Sequence, residues 1–365
     1  MGVLSKTRKF LAKMIEYSYS AGQMVGEIKK DKDPRRIAKY SKIELSSAQK
    51  EAIDAVYSSS YGKAIRYDWH KYYQSFTGNF DSRYFAEYLL STKLEPVMNP
   101  TDYRYVLGDK LLLHLFCNGI DNVRTPKTYC TKYKDLIISE NKELISLEDL
   151  EDILSEQHYI IKPVQDTNSG FGIEKVDSGK AVKDILATSQ EKALIVQECV
   201  GQHPKLKKLY PDGVNTFRVI TYILDGHIYH VPVTLRIGRG GNFLDNCHAG
   251  GLFIGVDDTG KLNTYAFTEF GDEFGEKFTE HPDTGTRFEN YILEFVPDMI
   301  QTAKKLHLNA PQLGMISWDL TVDENGCIVL IEANTRGQSI DMPQEANGKS
   351  AFGANTEKIL GLIKK

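Results

Sequence analysis

The sequence predicts an α+β fold, not a doubly wound parallel sheet. Two long strand-like runs flank the dipeptide Asp225-Gly226, which closes tight hairpins. A second hairpin is legible at 315–334. Short strands interspersed with helices, with hairpins prominent, lack the regular strand–helix alternation that a parallel crossover sheet requires.

Composition bounds the rest. A chain of 365 residues, 41% hydrophobic, can build a large core or two to three domains. The formal net charge of -4 creates no field that favours nucleic acid and argues against disorder. The five cysteines (Cys117, Cys130, Cys199, Cys247, Cys327) are scattered without a CxxC pair. Reduced thiols are therefore expected, rather than a zinc ribbon or a disulfide framework. No apolar run is long enough to span a bilayer, and the opening segment has neither the h-region nor the cleavage site of a signal peptide. A cytoplasmic location is expected.

Residues 1–40 hold ten Lys/Arg against four acids, and Phe10, Met14 and Tyr17 recur at helical spacing. This basic helix either docks peripherally on the inner face of an anionic membrane or packs, solvated, on the body; the latter is the commoner use of such a face. Residues 41–95 also read as helical and are rich in aromatics (Tyr57, Tyr61, Tyr67, Trp69, Tyr72, Tyr73, Phe76, Phe80). Core packing explains these better than a sugar-stacking platform. Pro96 and Pro100 mark a boundary. Beyond it come a helix at 107–118, strand-like runs at 159–164 and 193–200, the Asp225-Gly226 hairpin and a helix at about 288–306. The span 267–290 is either an acceptor-site loop or a surface connection.

The segment MISWDLTVDENGCIVLIEANTRG (315–337) is the most informative. With Asp323, Glu324, Asn325 and Gly326 as the turn, Val322 faces Cys327. One face then carries Ile316, Trp318, Leu320, Val322, Cys327, Val329, Ile331 and Ala333, all apolar. The other carries Ser317, Asp319, Thr321, Leu330, Glu332 and Asn334. Asp319, Glu332 and Asn334 thus share one side. Two carboxylates and an amide oxygen are hard donors suited to Mg²⁺ or Mn²⁺, and without a cation the acids would repel.

Three further groups suit a nucleotide. Lys162 ends a strand before a loop with Ser169, Gly170 and Gly172, where small residues let backbone N–H groups approach phosphate. Gln197 and Glu198, with the backbone at Cys199 and Val200, end a strand that can edge an adenine slot. Asn215, Thr216 and Arg218, with Arg236, Arg239, Asp245, Asn246 and His248, bring guanidinium groups suited to phosphoryl charge. An unbulged hairpin puts Arg218 and Arg236 on opposite faces, so both serve one site only if a bulge intervenes.

In the order GDK (108–110), IIKP…SGFG (160–172), QECV (197–200), NTFRVIT (215–221), RIGRGGNFLDN…GG (236–251) and SWDL…IEANTRG (317–337), the chain resembles the ATP-grasp superfamily, and more narrowly its sugar-transfer-associated branch. The resemblance implies a helical region at 1–95, an N-terminal and lid subdomain at 96–198, and a catalytic subdomain at 199–365, with ATP held between two α+β subdomains. Lys110 and Lys162 would meet the phosphates beneath the loop 166–172. Glu198 and Val200 would hold adenine, and Asp319, Glu332 and Asn334 would bind Mg²⁺. One departure stands out: D-alanine-ligase-like members carry Arg two residues before the first metal Asp, where this chain has Ser317, so Arg218 or Arg236 must take that task. The expected activity joins a carboxylate to an amine through an acylphosphate, on a sugar or surface-polysaccharide precursor. A kinase of a sugar or lipid-linked hydroxyl would show the same residues, and a non-catalytic nucleotide-binding module is the third alternative.

Overall fold

The computed structural model describes residues 18, 20–106, 108–154, 158–165, 172–243, 250–269 and 273–364. Two sheets organise it. The first strand, Val123–Arg124 (β1), belongs to the larger one. The smaller sheet follows: Thr128–Tyr133 (β2), Leu136–Ser139 (β3), Leu144–Ile145 (β4), Tyr159–Pro163 (β5), Glu174–Val176 (β6) and Ala193–Glu198 (β7), in spatial order β4-β3-β2-β7-β5-β6. The helix Gly179–Thr188, capped by Ser178, packs its Val182 and Leu186 into the core of this sheet.

The larger sheet adds Thr216–Leu224 (β8), His227–His230 (β9), Val233–Ile237 (β10), Leu252–Val256 (β11), Leu262–Thr268 (β12), Lys277–Phe278 (β13), Met315–Val322 (β14) and Ile328–Asn334 (β15). Its order is β1-β15-β14-β8-β10-β11-β12-β13, with β9 paired to β8. All pairs are antiparallel except β1 with β15, as expected for an α+β chain.

Alternation sorts the larger sheet into two faces. Phe217, Val219, Leu235, Ile254, Ile316, Trp318 and Leu320 point to one side, where the helix Val296–Leu308 covers them. Ile220, Tyr222, Phe253, Phe267 and Met315 point to the other, toward the helices Ser47–Ser60, Asp68–Thr77 and Asp341–Asn347. The aromatics Tyr57, Trp69, Tyr72, Tyr73 and Phe76 are buried in that second core, which is the packing role the sequence favoured. Gly255 lets the helix Asp341–Asn347 lie close: a Cβ there would sit 2.8 Å from the Ala346 carbonyl oxygen.

The structure corrects several sequence expectations. The helix expected over 107–118 is a 3-10 turn at Lys110–Leu112 followed by one α turn at Leu113–Phe116. The helix expected from 288 begins at Val296, with Pro297 in its first turn, where a missing N–H costs nothing. Residues 41–95 are helical only in pieces, broken at Gly62 and at Gly78, both with positive φ. The turn after Val322 holds three residues rather than four, because Asp323 N donates to Cys327 O at 2.9 Å and Gly326 sits at φ 82. That slips the near half of the hairpin, so Val322 pairs with Ile328 and Leu320 with Leu330. Leu330 and Ile328 therefore face the apolar core with Leu320, while Val329 lies opposite Thr321. A bulge at Ile331 then adds a second slip, and Asp319 pairs with Glu332. Among the described residues no helix is long and apolar enough to cross a membrane. Phe10, Met14 and Tyr17, with Lys6, Arg8, Lys9 and Lys13 of the basic opening segment, lie outside those residues.

Candidate active site

The site grows from the second face of the larger sheet. Asp319 on β14 pairs with Glu332 on β15 and with Arg218 on β8. Asn334 Nδ2 donates to Asp319 Oδ2 at 3.3 Å. The expected trio thus stands on one side of the hairpin. Arg218 forks onto Asp319, Nε to Oδ1 at 2.6 Å and Nη2 to Oδ2 at 3.1 Å. Arg236 also arrives, its Nη2 3.2 Å from Oδ2.

That arrival settles the question of the two arginines. β9 continues the tight hairpin, with Thr221 opposite His230, but β10 is offset by one residue, with Arg218 opposite Thr234. The offset falls at Val231–Pro232, where proline has no N–H to continue a ladder. Arg236 therefore lies on the same face as Arg218, not the opposite one, and both serve Asp319. Ser317 instead donates from Oγ to Gln338 Oε1 at 2.8 Å in the interior. Burial alone would raise the Asp319 pKa. The charges of Arg218 and Arg236, with their hydrogen bonds, outweigh it and hold the carboxyl below its ordinary value. Oδ2 meets three donors, whereas Oδ1 takes one and keeps lone-pair capacity beyond it.

One lysine comes from the smaller sheet and the other from the 3-10 turn docked on it. Lys110 N donates to Val164 O at 3.1 Å, which fixes its turn to the end of β5, and Lys110 Nζ lies 2.8 Å from Glu332 Oε1. Lys162, on β5, is buried. Burial, with Lys110 nearby, pushes its pKa down to about 8, and Glu332 partly opposes the shift. Gly172, at φ 74, turns the chain back over Pro163. Ser169 and Gly170 lie outside the described residues, as do Asp245, Asn246 and His248.

At the other edge, Gln197 Nε2 donates to Thr128 Oγ1 at 3.1 Å. Val200 is buried. The Glu198 carboxylate accepts from Lys127 N at 2.8 Å and from Arg124 Nη1. Arg124 also reaches Asp323 Oδ2 at 3.0 Å, so one guanidinium ties the last residue of β7 to the hairpin turn of the larger sheet. Asn215 is committed to the scaffold: its Nδ2 donates to Gln202 Oε1, Leu206 O and Tyr210 O. Arg239 pairs with Glu273.

Sequence reasoning missed Arg124, and it missed two buried residues in the segment read as a boundary. Glu95 accepts from Gly337 N at 2.9 Å and Gln338 N at 3.1 Å. Asn99 donates to Met315 O at 2.7 Å and to Thr335 O at 2.8 Å. Together they pin the ends of β14 and β15. Asn99 abuts Pro100, and a polar residue at a proline turn was the available signal.

The donor set fits a hard divalent cation. Two carboxylates and an amide lie on neighbouring strands, and two guanidinium groups keep Asp319 ionised. No described group of three or more His, Cys, Asp or Glu side chains could hold a metal ion. A cation here would share two carboxylates with phosphate oxygens and water, the usual habit of Mg²⁺.

Comparisons with known proteins bear on this arrangement. The family model described as sugar-transfer associated ATP-grasp matches residues 89–359. A search of curated proteins finds no match. Among solved structures, D-alanyl-alanine synthetase A from Vibrio cholerae aligns at TM-score 0.42 and 14% identity, over 70% of this chain and 64% of that one. L-amino acid ligase from Bacillus licheniformis aligns at TM-score 0.39 and 13% identity, over 70% and 48%. N5-carboxyaminoimidazole synthase from Aspergillus clavatus aligns at TM-score 0.40 and 9% identity, over 70% and 53%. The chain spans less than two thirds of the length of each of the three.

Proposed function

This chain belongs to the sugar-transfer associated ATP-grasp family and has the ATP-grasp fold, and from that premise we propose that it is an ATP-dependent carboxylate–amine ligase acting through an acylphosphate. The observation that carries the reading is the convergence of Asp319, Glu332 and Asn334 with Arg218, Arg236 and Lys110 on one face, with Lys162 in electrostatic reach. Asp319, Glu332 and Asn334 would hold Mg²⁺, which when bound neutralises phosphate charge. Lys110 and Lys162 bind and orient the nucleotide phosphates. Arg218 and Arg236 stabilise charge as the phosphoryl group passes to a substrate carboxylate. Such chemistry rests on positioning and charge, and needs no covalent protein nucleophile. An amine then displaces phosphate and forms the amide. The proposed substrates are a uronic or other sugar-borne acid and an amino acid or amine, with the product serving a surface polysaccharide.

The test is MgATP turnover against a panel of sugar acids and amines. ADP and free phosphate that appear only with both partners present support the ligase. A stable phosphorylated sugar identifies a hydroxyl kinase instead. Asp319→Asn is expected to lower turnover roughly 100-fold or more, the scale of losing one electrostatic stabiliser. Unchanged turnover in that variant, with the fold intact by circular dichroism, would refute the assignment.

A further inference from the structure

The chain crosses between the two sheets at two connectors that run side by side. It enters the smaller sheet through 125–127, between β1 and β2, and leaves it through 199–203, between β7 and the helix Pro204–Leu209. Glu198 N donates to Lys127 O at 3.0 Å, and the Glu198 carboxylate accepts from Lys127 N, so the connectors pair at their smaller-sheet ends. The β14–β15 turn lies against the second connector. His203 N donates to Val322 O at 2.9 Å, and a Cβ on Gly201 would sit 3.2 Å from the Glu324 carboxylate. Arg124 stands where both connectors and the turn meet, held on the larger sheet by β1, opposite Val329. Its Nε and Nη2 donate to Asp323 Oδ2 at 3.1 and 3.0 Å. Its Nη1 donates to the Glu198 carboxylate, and to Thr125 O at 3.3 Å.

Neither partner needs this arginine to hold its own shape. Asp323 Oδ1 accepts from Asn325 N at 3.0 Å and from Cys327 N at 2.9 Å, which closes the turn. The backbone bond from Glu198 to Lys127 joins the connectors. What Arg124 adds is a bond between the end of β7 and the turn of the hairpin that carries Asp319 and Glu332. Asp323 is buried, so its pair with the guanidinium is screened less than a surface pair. A planar fork that donates from three nitrogens also fixes the angle between its acceptors, which a flexible ammonium does not.

We propose that Arg124 is a positioning residue for the nucleotide: it sets the end of β7, where adenine would rest, at a fixed distance from the hairpin that would receive the phosphates. This rests on the ATP reading above. One ATP molecule engages both places at once only when their separation matches the nucleotide. Two half-sites in register gain from being joined by one ligand, and the gain is lost when they drift apart, although each half still binds. The arginine acts through Glu198 and Asp323 rather than on the nucleotide itself.

The experiment is calorimetric titration of the full chain, in Mg²⁺, with a non-hydrolysable ATP analogue and separately with inorganic triphosphate. The ratio of the two affinities reports how well the adenosine end is engaged once the phosphates are bound. Arg124→Ala is expected to lower that ratio about tenfold or more, the scale of one hydrogen bond to a charged group, and to leave triphosphate affinity within about twofold of wild type. Arg124→Lys keeps the charge without the fork and should fall between the two. Lys358→Ala, at an exposed pair with Asp225, should change neither affinity. An unchanged ratio in Arg124→Ala overturns the proposal, even where both affinities fall together, because that marks a support for the whole site rather than a link between its halves. A lysine as good as the arginine also overturns it, and that variant decides if Arg124→Ala misfolds. Wild-type protein that binds neither probe would sink the nucleotide reading. Wild type that binds both alike would spare the phosphate site and sink the positioning of adenine.

Discussion

Lys162 carries its ammonium on a buried strand, and burial with Lys110 nearby brings its pKa from 10.5 to about 8. Phosphate oxygens favour the charged form. ATP affinity of the free protein is therefore full below about pH 8 and falls as pH rises through that value. Stability moves the other way. Between about 8 and 10.5 the unfolded chain holds a proton that the folded one has released, so this group favours folding increasingly across that window. Titrations of nucleotide affinity and of melting temperature against pH should show these opposite trends. Lys162→Met should weaken ATP binding roughly 10- to 100-fold, the scale of a hydrogen bond to a charged group, and remove the break near pH 8. A break that persists in the variant would assign it to another group. Lys162 was legible in the sequence because a lysine before a glycine-containing loop has a local signature. Arg124 was not, since a lone charged residue in a chain carries no trace of the partners, here Glu198 and Asp323, that folding assembles around it.

Parity decides what the sequence could show of the strands. In the β14–β15 hairpin the expected register was wrong by one residue near the turn and by two beyond Ile331. Two slips restore the original faces, so Asp319, Glu332 and Asn334 landed together as read, while Leu330 and Val329 exchanged sides. In the β8–β10 pair a single slip at Val231–Pro232 reversed the expected placement of Arg236. Bulges are invisible to a hydrophobic pattern when both faces are apolar, as they are along β8, where Phe217 and Val219 face one core and Ile220 and Tyr222 the other. The first of these slips depends on Gly326 at φ 82, with open space where a side chain would go. Gly326→Ala should therefore lower stability by about 1–2 kcal/mol through backbone strain alone, without a clash. Denaturant melts should show the midpoint shift at constant slope. An unchanged midpoint would mean that the turn relaxes to another register.

At the scale of the molecule, the family match begins at residue 89, yet the core beneath the site does not. Tyr57, Trp69, Tyr73, Phe76 and Phe85 share one buried cluster with Tyr222, Phe253, Phe267 and Phe352, on the face that carries Arg218 and Asp319. The helical layer is thus a wall of the site as well as its cover. Glu87 accepts from Ile340 N at 3.0 Å, and Tyr73 fixes Asp341, so the segment after β15 is held from that layer. Burying each such aromatic contributes about 1.5–3 kcal/mol, while a whole domain is stable by only about 5–15 kcal/mol. A fragment of residues 96–365 forfeits five of these side chains and bares their counterparts. It should lack a cooperative thermal transition, lose near-ultraviolet dichroism and fail to bind MgATP. The smaller sheet, which keeps its own core around Tyr159, Ile161 and Val196, should retain strand signal in the far ultraviolet. A fragment that melts cooperatively and still binds nucleotide would show that the helical layer is an added module.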